Sequence, residues 1–270
     1  MYILQAIILG IVEGITEFLP ISSTGHLILA QQLIGFNDYK DVFTVVIQVG
    51  AIAAVVWFYR HDLIAKTRGL FVRDPDALRF WKLLVIGTAP ALAVGFVLES
   101  SMDAIATPLV IALALIVGGV ILWLVDHKRP SIKKPLEPNV SAISTKQAMW
   151  VGLGQCFALV PGVSRSGATI VGGLLSGIDR ATATAFSFYL SIPVLILASG
   201  YKLLKYDGAI GRIDGGATAI IVGLVVSFFT ALAAISWLLR YVSRNNFTIF
   251  AYYRVALGGL IILLLSVGYL

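Results

Sequence analysis

The sequence predicts an all-α polytopic membrane protein, and three observations carry that expectation. Hydrophobic residues fill 59% of the 270 positions, charged residues only 13% against roughly 25% in a soluble domain, and the apolar residues gather in long uncharged runs. A mean hydropathy of +0.93 leaves too little polar surface for an exterior facing water. The formal charge of +6 does not indicate nucleic acid, because the basic residues fall between the apolar runs, where topology signals belong. A single cysteine, Cys156, excludes an intrachain disulfide. The absence of Lys or Arg before Lys40 argues against a secretory leader.

The first element, Met1 to Gly35, is apolar but broken by Pro20 and a polar cluster. It predicts a helix, a bend and a second short helix. Broken backbone survives at hydrocarbon depth only when buried in protein or lining a wet cavity, so the segment reads as a re-entrant hairpin. Three spans follow, Phe43 to Tyr59, Leu83 to Leu98 and Ala104 to Val125, each near the roughly 17 to 25 residues that cross a bilayer. The stretch Arg60 to Lys82 holds six basic and three acidic residues and is expected in the cytoplasm, with a turn around Glu99 and Asp103 on the opposite face. The linker from Asp126 to Lys146 carries Lys128, Arg129, Lys133, Lys134 and Lys146 with Pro130, Pro135 and Pro138, and is also expected to be cytoplasmic.

Gln147 to Ile178, broken at Pro161, predicts a second re-entrant hairpin, followed by spans Ala181 to Tyr201, Gly215 to Leu239 and Phe247 to Leu270. The loop from Lys202 to Asp214 dissents from the charge pattern, with Lys202, Lys205 and Arg212 on the outer side. Arg254 lies close enough to the start of the last span to snorkel to the interface.

The two broken segments align without a gap at an offset of 142 residues: Gly10 falls on Gly152, Glu13 on Gln155, Ser22 on Ser164, Thr24 on Ser166 and Gly25 on Gly167. One hairpin and three spans per half force the second half into the membrane upside down. The expectation is an inverted-topology repeat of six transmembrane helices and two re-entrant hairpins. It forms one membrane domain, with repeat one at 1–125, the linker at 126–146 and repeat two at 147–270, both termini outside and the hairpin tips meeting near the midplane.

Glu13 and Glu17 are four residues apart, so a helix sets them on one face about 6 Å apart along its axis. Two carboxylates at membrane depth require a compensating cation or protonation, and a hard divalent cation, Mg²⁺ or Ca²⁺, suits such oxygen ligands. The alternative is one protonated glutamate beside another paired with Arg165. After Pro20, the residues Ser22, Ser23, Thr24 and Gly25 offer hydroxyls and free N–H groups where a helix starts, which suits a phosphate as well as a cap. His26 beside them is a candidate acid–base group. In the second hairpin Arg165 is the only charge between Lys146 and Asp179, flanked by Ser164 and Ser166 with Thr169 one turn on. A planar donor fork among hydroxyls is what phosphate binding requires.

Glu13-x-x-x-Glu17 followed by Pro20-x-Ser-Ser-Thr-Gly-His26, and Pro161-Gly-x-Ser-Arg165-Ser-Gly-x-Thr169, closely resemble the motifs of the bacterial undecaprenyl-diphosphate phosphatases of the bacitracin-resistance type. The resemblance covers essentially the whole chain, with no departure at those positions. It implies a multi-pass enzyme of the bacterial inner membrane, its site open to the periplasm, that converts undecaprenyl diphosphate to the monophosphate carrier of peptidoglycan synthesis. It also implies dependence on a divalent cation, bacitracin resistance when abundant, and roles for Glu13, Glu17, Ser23, His26, Ser164, Arg165 and Thr169.

On this reading Arg165, Ser164, Ser166, Thr169 and Thr24 hold phosphate oxygens, Glu13 and Glu17 hold the cation, and Ser23 attacks phosphorus with His26 as base. Attack by His26 itself, or by a water that His26 and Glu17 orient, are the other routes. Partners are the bilayer and a polyprenyl diphosphate. Small-residue helix faces fit a monomer and a homodimer equally. The rival class is an inverted-repeat transporter or flippase for a lipid phosphate or small anion, which needs no nucleophile or paired carboxylates.

Overall fold

The computed structural model describes residues 2–38, 41–129, 136–206, 213 and 215–269. Among them the chain forms eleven α-helices: α1 (Tyr2–Thr16), α2 (Ser23–Ile34), α3 (Val42–Phe58), α4 (Arg60–Phe71), α5 (Pro75–Ile105), α6 (Pro108–His127), α7 (Thr145–Phe157), α8 (Arg165–Leu175), α9 (Arg180–Lys205), α10 (Gly216–Val242) and α11 (Thr248–Ser266). Five are long and apolar enough to cross a bilayer: Pro75–Leu98 of α5, α6, α9, α10 and α11. Taken together, α3 and α4 make a sixth candidate, bent by 73° at Tyr59. The chain is an all-helical polytopic membrane protein.

All six expected spans fall on helices, with two changes of boundary. The expected cytoplasmic stretch 60–82 is mostly helical, because α4 follows the bend and α5 starts at Pro75, capped by Asp74 accepting from the Ala77 N–H at 2.9 Å. The turn expected around Glu99 and Asp103 lies inside α5, which continues to Ile105 and turns at Ala106 and Thr107, where Thr107 caps α6. Pro130, Lys133, Lys134 and Pro135 of the linker, and Asp207, Arg212 and Asp214 of the dissenting loop, lie outside the described residues.

The two short helix pairs are each broken where the sequence places a proline. α1 packs along α10 and α7 along α5. Both contacts depend on a missing side chain: a Cβ at Gly10 would lie 2.7 Å from the Gly223 carbonyl oxygen, and one at Gly152 would lie 2.8 Å from that of Gly87. α6 and α11 pack together, as do α3 and α9. The largest buried cluster runs from Phe18 and Leu19 of the first break through Phe188 of α9 to Ala231, Ile235 and Leu238 of α10, with Phe18 edge-on to Phe188 at 5.4 Å. It anchors the break against the protein interior.

A buried ion pair closes one end of the bundle. Asp126, at the end of α6, accepts from Arg180 Nε at the start of α9 and from the Phe247 N–H at the α10–α11 turn. Asp126, read as the start of a solvated linker, is therefore a tie between three helices. Its partners are distant in sequence, and nothing local marks it.

Candidate active site

The first break begins where α1 ends. The Glu17 N–H still donates to the Glu13 carbonyl at 2.9 Å, so both glutamates share the last turn and one face. Glu13 is fully buried, and among the described residues neither of its carboxylate oxygens has a hydrogen-bond partner. Glu17, 7% exposed, accepts one hydrogen bond at each oxygen: Ser23 Oγ donates to Oε2 at 2.7 Å and Arg165 Nη2 to Oε1 at 3.1 Å. The Arg165–Glu17 ion pair thus joins the two breaks across 148 residues of sequence.

Arg165 opens α8. Its Nη1 donates to the Ser187 carbonyl at 3.0 Å, and its guanidinium lies 5.7 Å from the Phe18 ring. Nε is buried with no partner among the described residues. Around it the hydroxyls are engaged. Ser164 Oγ accepts from the Gly167 N–H at 3.1 Å and lies 3.0 Å from Ser166 Oγ, which donates to the Leu19 carbonyl at 2.8 Å. Thr169 Oγ1 lies 2.7 Å from Ser187 Oγ and 2.9 Å from the Arg165 carbonyl. Ser166 and Thr169 therefore support the tip: one fastens the second break to the first, and the other props the residue that receives Arg165.

Ser22 and Ser164, the residues just before α2 and α8, sit at φ 69° and φ 72°, a left-handed conformation uncommon outside glycine. The expected pairing of His26 with Ser23 is not what the geometry brings together. His26 Nδ1–H donates to the Ser22 carbonyl at 2.7 Å and its Nε2 shares a hydrogen bond with the Tyr253 hydroxyl at 2.7 Å, while Ser23 donates to Glu17. Thr24 is exposed at the start of α2. The structure thus assembles Glu13, Glu17, Ser23 and Arg165, surrounds Arg165 with Ser164, Ser166 and Thr169, holds His26 against Tyr253, and leaves Thr24 outside.

Arg254 does not snorkel; it is 1% exposed, and it donates from α11 to five backbone carbonyls, those of Leu115, Pro20, Ala114, Gly162 and Val163. Reaching backbone rather than an acid satisfies its donors without leaving the interior. The glycine pair at 118 and 119 was the available signal: a Cβ at Gly118 would lie 2.1 Å from Arg254 Nη2.

The donors fit a divalent cation in part. Glu13 offers two hard oxygens with no competing partner, and Glu17 lies one turn away. Among the described residues no cluster of three or more His, Cys, Asp or Glu exists, so the remaining ligands would be other oxygens, from hydroxyls, backbone carbonyls, water or substrate. Beside the tip, an apolar groove of about 550 Å³ runs between α6, α7 and α8, past Val117, Leu153 and Phe157 to Val163 and Gly167, the residues flanking Ser164 to Ser166.

The family model described as bacitracin resistance protein BacA matches residues 6–260. The chain is 48% identical over 271 residues to undecaprenyl-diphosphatase 1 of Burkholderia cenocepacia, covering 99% of this chain and 96% of that protein. It is 46% identical over 260 residues to undecaprenyl-diphosphatase 2 of Rhodospirillum rubrum, covering 95% and 92%. Undecaprenyl-diphosphatase of Cupriavidus necator is 46% identical over 279 residues, with 96% and 94% covered.

Proposed function

The chain belongs to the bacitracin resistance protein BacA family, and on that premise we propose that it is a membrane phosphatase cutting undecaprenyl diphosphate into inorganic phosphate and undecaprenyl phosphate, which returns the lipid carrier to peptidoglycan synthesis. The observation that carries the reading is the chain of contacts Ser23 to Glu17 to Arg165, which sets a hydroxyl, a carboxylate and a guanidinium together between two broken helices. The apolar groove at the tip suits a substrate whose tail stays in hydrocarbon.

In this mechanism Arg165 Nε, which has no hydrogen-bond partner among the described residues, donates to a phosphate oxygen, and the N–H groups in the first turn of α8 that Ser164 does not cap add to it. Ser23 Oγ attacks the terminal phosphorus as its proton passes to Glu17 Oε2. The anhydride P–O bond breaks toward the lipid monophosphate, and water then cleaves the phosphoserine to release phosphate, with the proton returned to Ser23. Glu17 thereby takes the base role expected of His26, and His26 fixes the first turn of α2 through the Ser22 carbonyl. Glu13 and Glu17 would hold Mg²⁺ or Ca²⁺, which when bound supplies neutralising charge to the transferring phosphoryl group. The chain's own groups bind, orient and move the proton.

The architecture around this site is part of the same proposal: six spans, two re-entrant hairpins and an inverted repeat, in a bacterial inner membrane with the site toward the periplasm. Matching dihedrals at Ser22 (φ 69°, ψ 102°) and Ser164 (φ 72°, ψ 115°) support the repeat. So does the exchange of partners, α1 on α10 and α7 on α5, through glycines 142 positions apart.

The test is phosphate release from a polyprenyl diphosphate by the purified protein in detergent, with and without chelator. Release sensitive to chelator and lost in Glu17→Ala and Arg165→Ala is expected. A folded parent that releases nothing overturns hydrolysis and leaves transport. A trapped phosphoryl adduct at Ser23 supports the serine route, whereas near-parental turnover in Ser23→Ala removes it.

A further inference from the structure

Each helix break leaves backbone carbonyls with no helical donor, at a depth where water is scarce and an unpaired carbonyl is costly. In the first break Leu19 O receives Ser166 Oγ, and Pro20 O receives Arg254 Nη1 at 3.3 Å. In the second, Gly162 O and Val163 O both receive Arg254 Nη2, at 3.4 and 2.8 Å. The remaining contacts, to Ala114 O and Leu115 O of α6 at 3.2 and 3.3 Å, anchor the guanidinium from behind. One side chain on the last helix therefore meets both breaks, which otherwise touch directly through Ser166 and the Glu17–Arg165 pair.

The carbonyls it holds are special ones. Val163 directly precedes Ser164, and Pro20 stands two residues before Ser22, the two serines with positive φ from which the substrate-facing helices start. Fixing the Val163–Ser164 peptide and the Pro20–Ile21 peptide, one removed from Ser22, fixes the direction in which α2 and α8 present Ser23 and Arg165. Room for the guanidinium comes from glycines on both sides: a Cβ at Gly118 would meet Nη2 at 2.1 Å, and one at Gly167 would meet Nη1 at 2.8 Å. The planar fork is needed for this. A lysine has a single compact ammonium and cannot serve carbonyls from three segments in one plane.

We infer that Arg254 is a positioning residue for the hydrolysis, a clamp that sets the two breaks in register so that the carboxylates of one and the arginine of the other meet the same diphosphate. The inference rests on the proposed phosphatase activity for its kinetic part only. Displacement of a reacting group by about 1 Å costs about 100-fold in turnover, so a loosened clamp acts on kcat before it acts on folding.

The experiment compares the full-length parent, Arg254→Lys and Gly118→Ala in detergent, taking the monodisperse fraction of each. Gly118→Ala keeps the arginine and pushes it out of its seat, so it decides alone if Arg254→Lys does not fold. The expected result is a kcat per folded molecule at least about tenfold lower with KM changed less than about threefold, and amide hydrogen exchange accelerated in peptides covering both 19–23 and 163–167. Parental kcat in a folded variant overturns the inference, as does exchange that rises evenly along the chain or at one break alone. Because exchange is read without substrate, a parent that releases no phosphate sinks the phosphatase reading while the clamp is still judged.

Discussion

The two breaks share a backbone and differ in charge. Each runs a short helix into a proline-bearing turn, places a serine at φ near 70° and starts a second helix. Yet the first carries Glu13 and Glu17 where the second has Gln155 and Leu159, and the second carries Arg165 where the first has Ser23. The equivalence reaches detail: among the described residues Glu13 has two buried oxygens without partners, and Gln155, whose Nε2 donates to the Gly87 carbonyl at 3.2 Å, has one. A single backbone solution to starting a helix after a break thus serves opposite electrostatic purposes, and their meeting sets a carboxylate pair beside a guanidinium.

The most damaging way to break that meeting is to remove one partner of the ion pair. Arg165→Ala or Glu17→Ala strands a buried charge, which costs about 3 to 5 kcal/mol, and removes transition-state contacts worth about 100- to 1,000-fold in turnover. Phosphate release together with thermal melting reads both effects. Next, Glu13→Gln should raise the divalent cation concentration for half-maximal release by about tenfold, since a ligand charge is lost while shape is kept; a cation titration after chelation checks it.

A smaller contrast sharpens the comparison itself. Ser164 accepts a capping bond from Gly167, whereas Ser22 makes no side-chain cap. Ser164→Ala is therefore expected to cost about 1 kcal/mol of stability and Ser22→Ala less than about 0.5. Equal losses in denaturation midpoints would show that the two serines do the same work. Smallest of all, Tyr253→Phe should leave turnover within about threefold, because the Ser22 carbonyl still orients His26; steady-state kinetics measures it.

The spans were legible because a run of some 20 apolar residues has few alternatives to a membrane helix, and the breaks because Pro20 and Pro161 interrupt such runs amid polar residues. Glu13, Glu17 and Arg165 stood out as charges with no solvated place to go. What stayed hidden depends on distant partners. Arg254 reads like an interfacial arginine, since its acceptors are carbonyls, which every residue has and no sequence displays. The assignment of Ser23 to His26 followed proximity along the chain, but an i, i+3 spacing on α2 says nothing of Glu17, which approaches from the previous helix. Asp74 and Pro75 did spell a helix start, and the charges around them masked it.

The contact between Pro20 and Arg254 also sets a timetable. The two residues are 234 positions apart, and a ribosome adding roughly 5 to 20 residues per second takes roughly 12 to 47 seconds to travel between them. Throughout that interval the first hairpin is already made while its final donor does not yet exist. For all of it the Pro20 carbonyl is without its Arg254 partner. The oldest part of the candidate site is thus the last to be finished, because a chain halted anywhere before α11 lacks the donor that the Pro20 carbonyl receives.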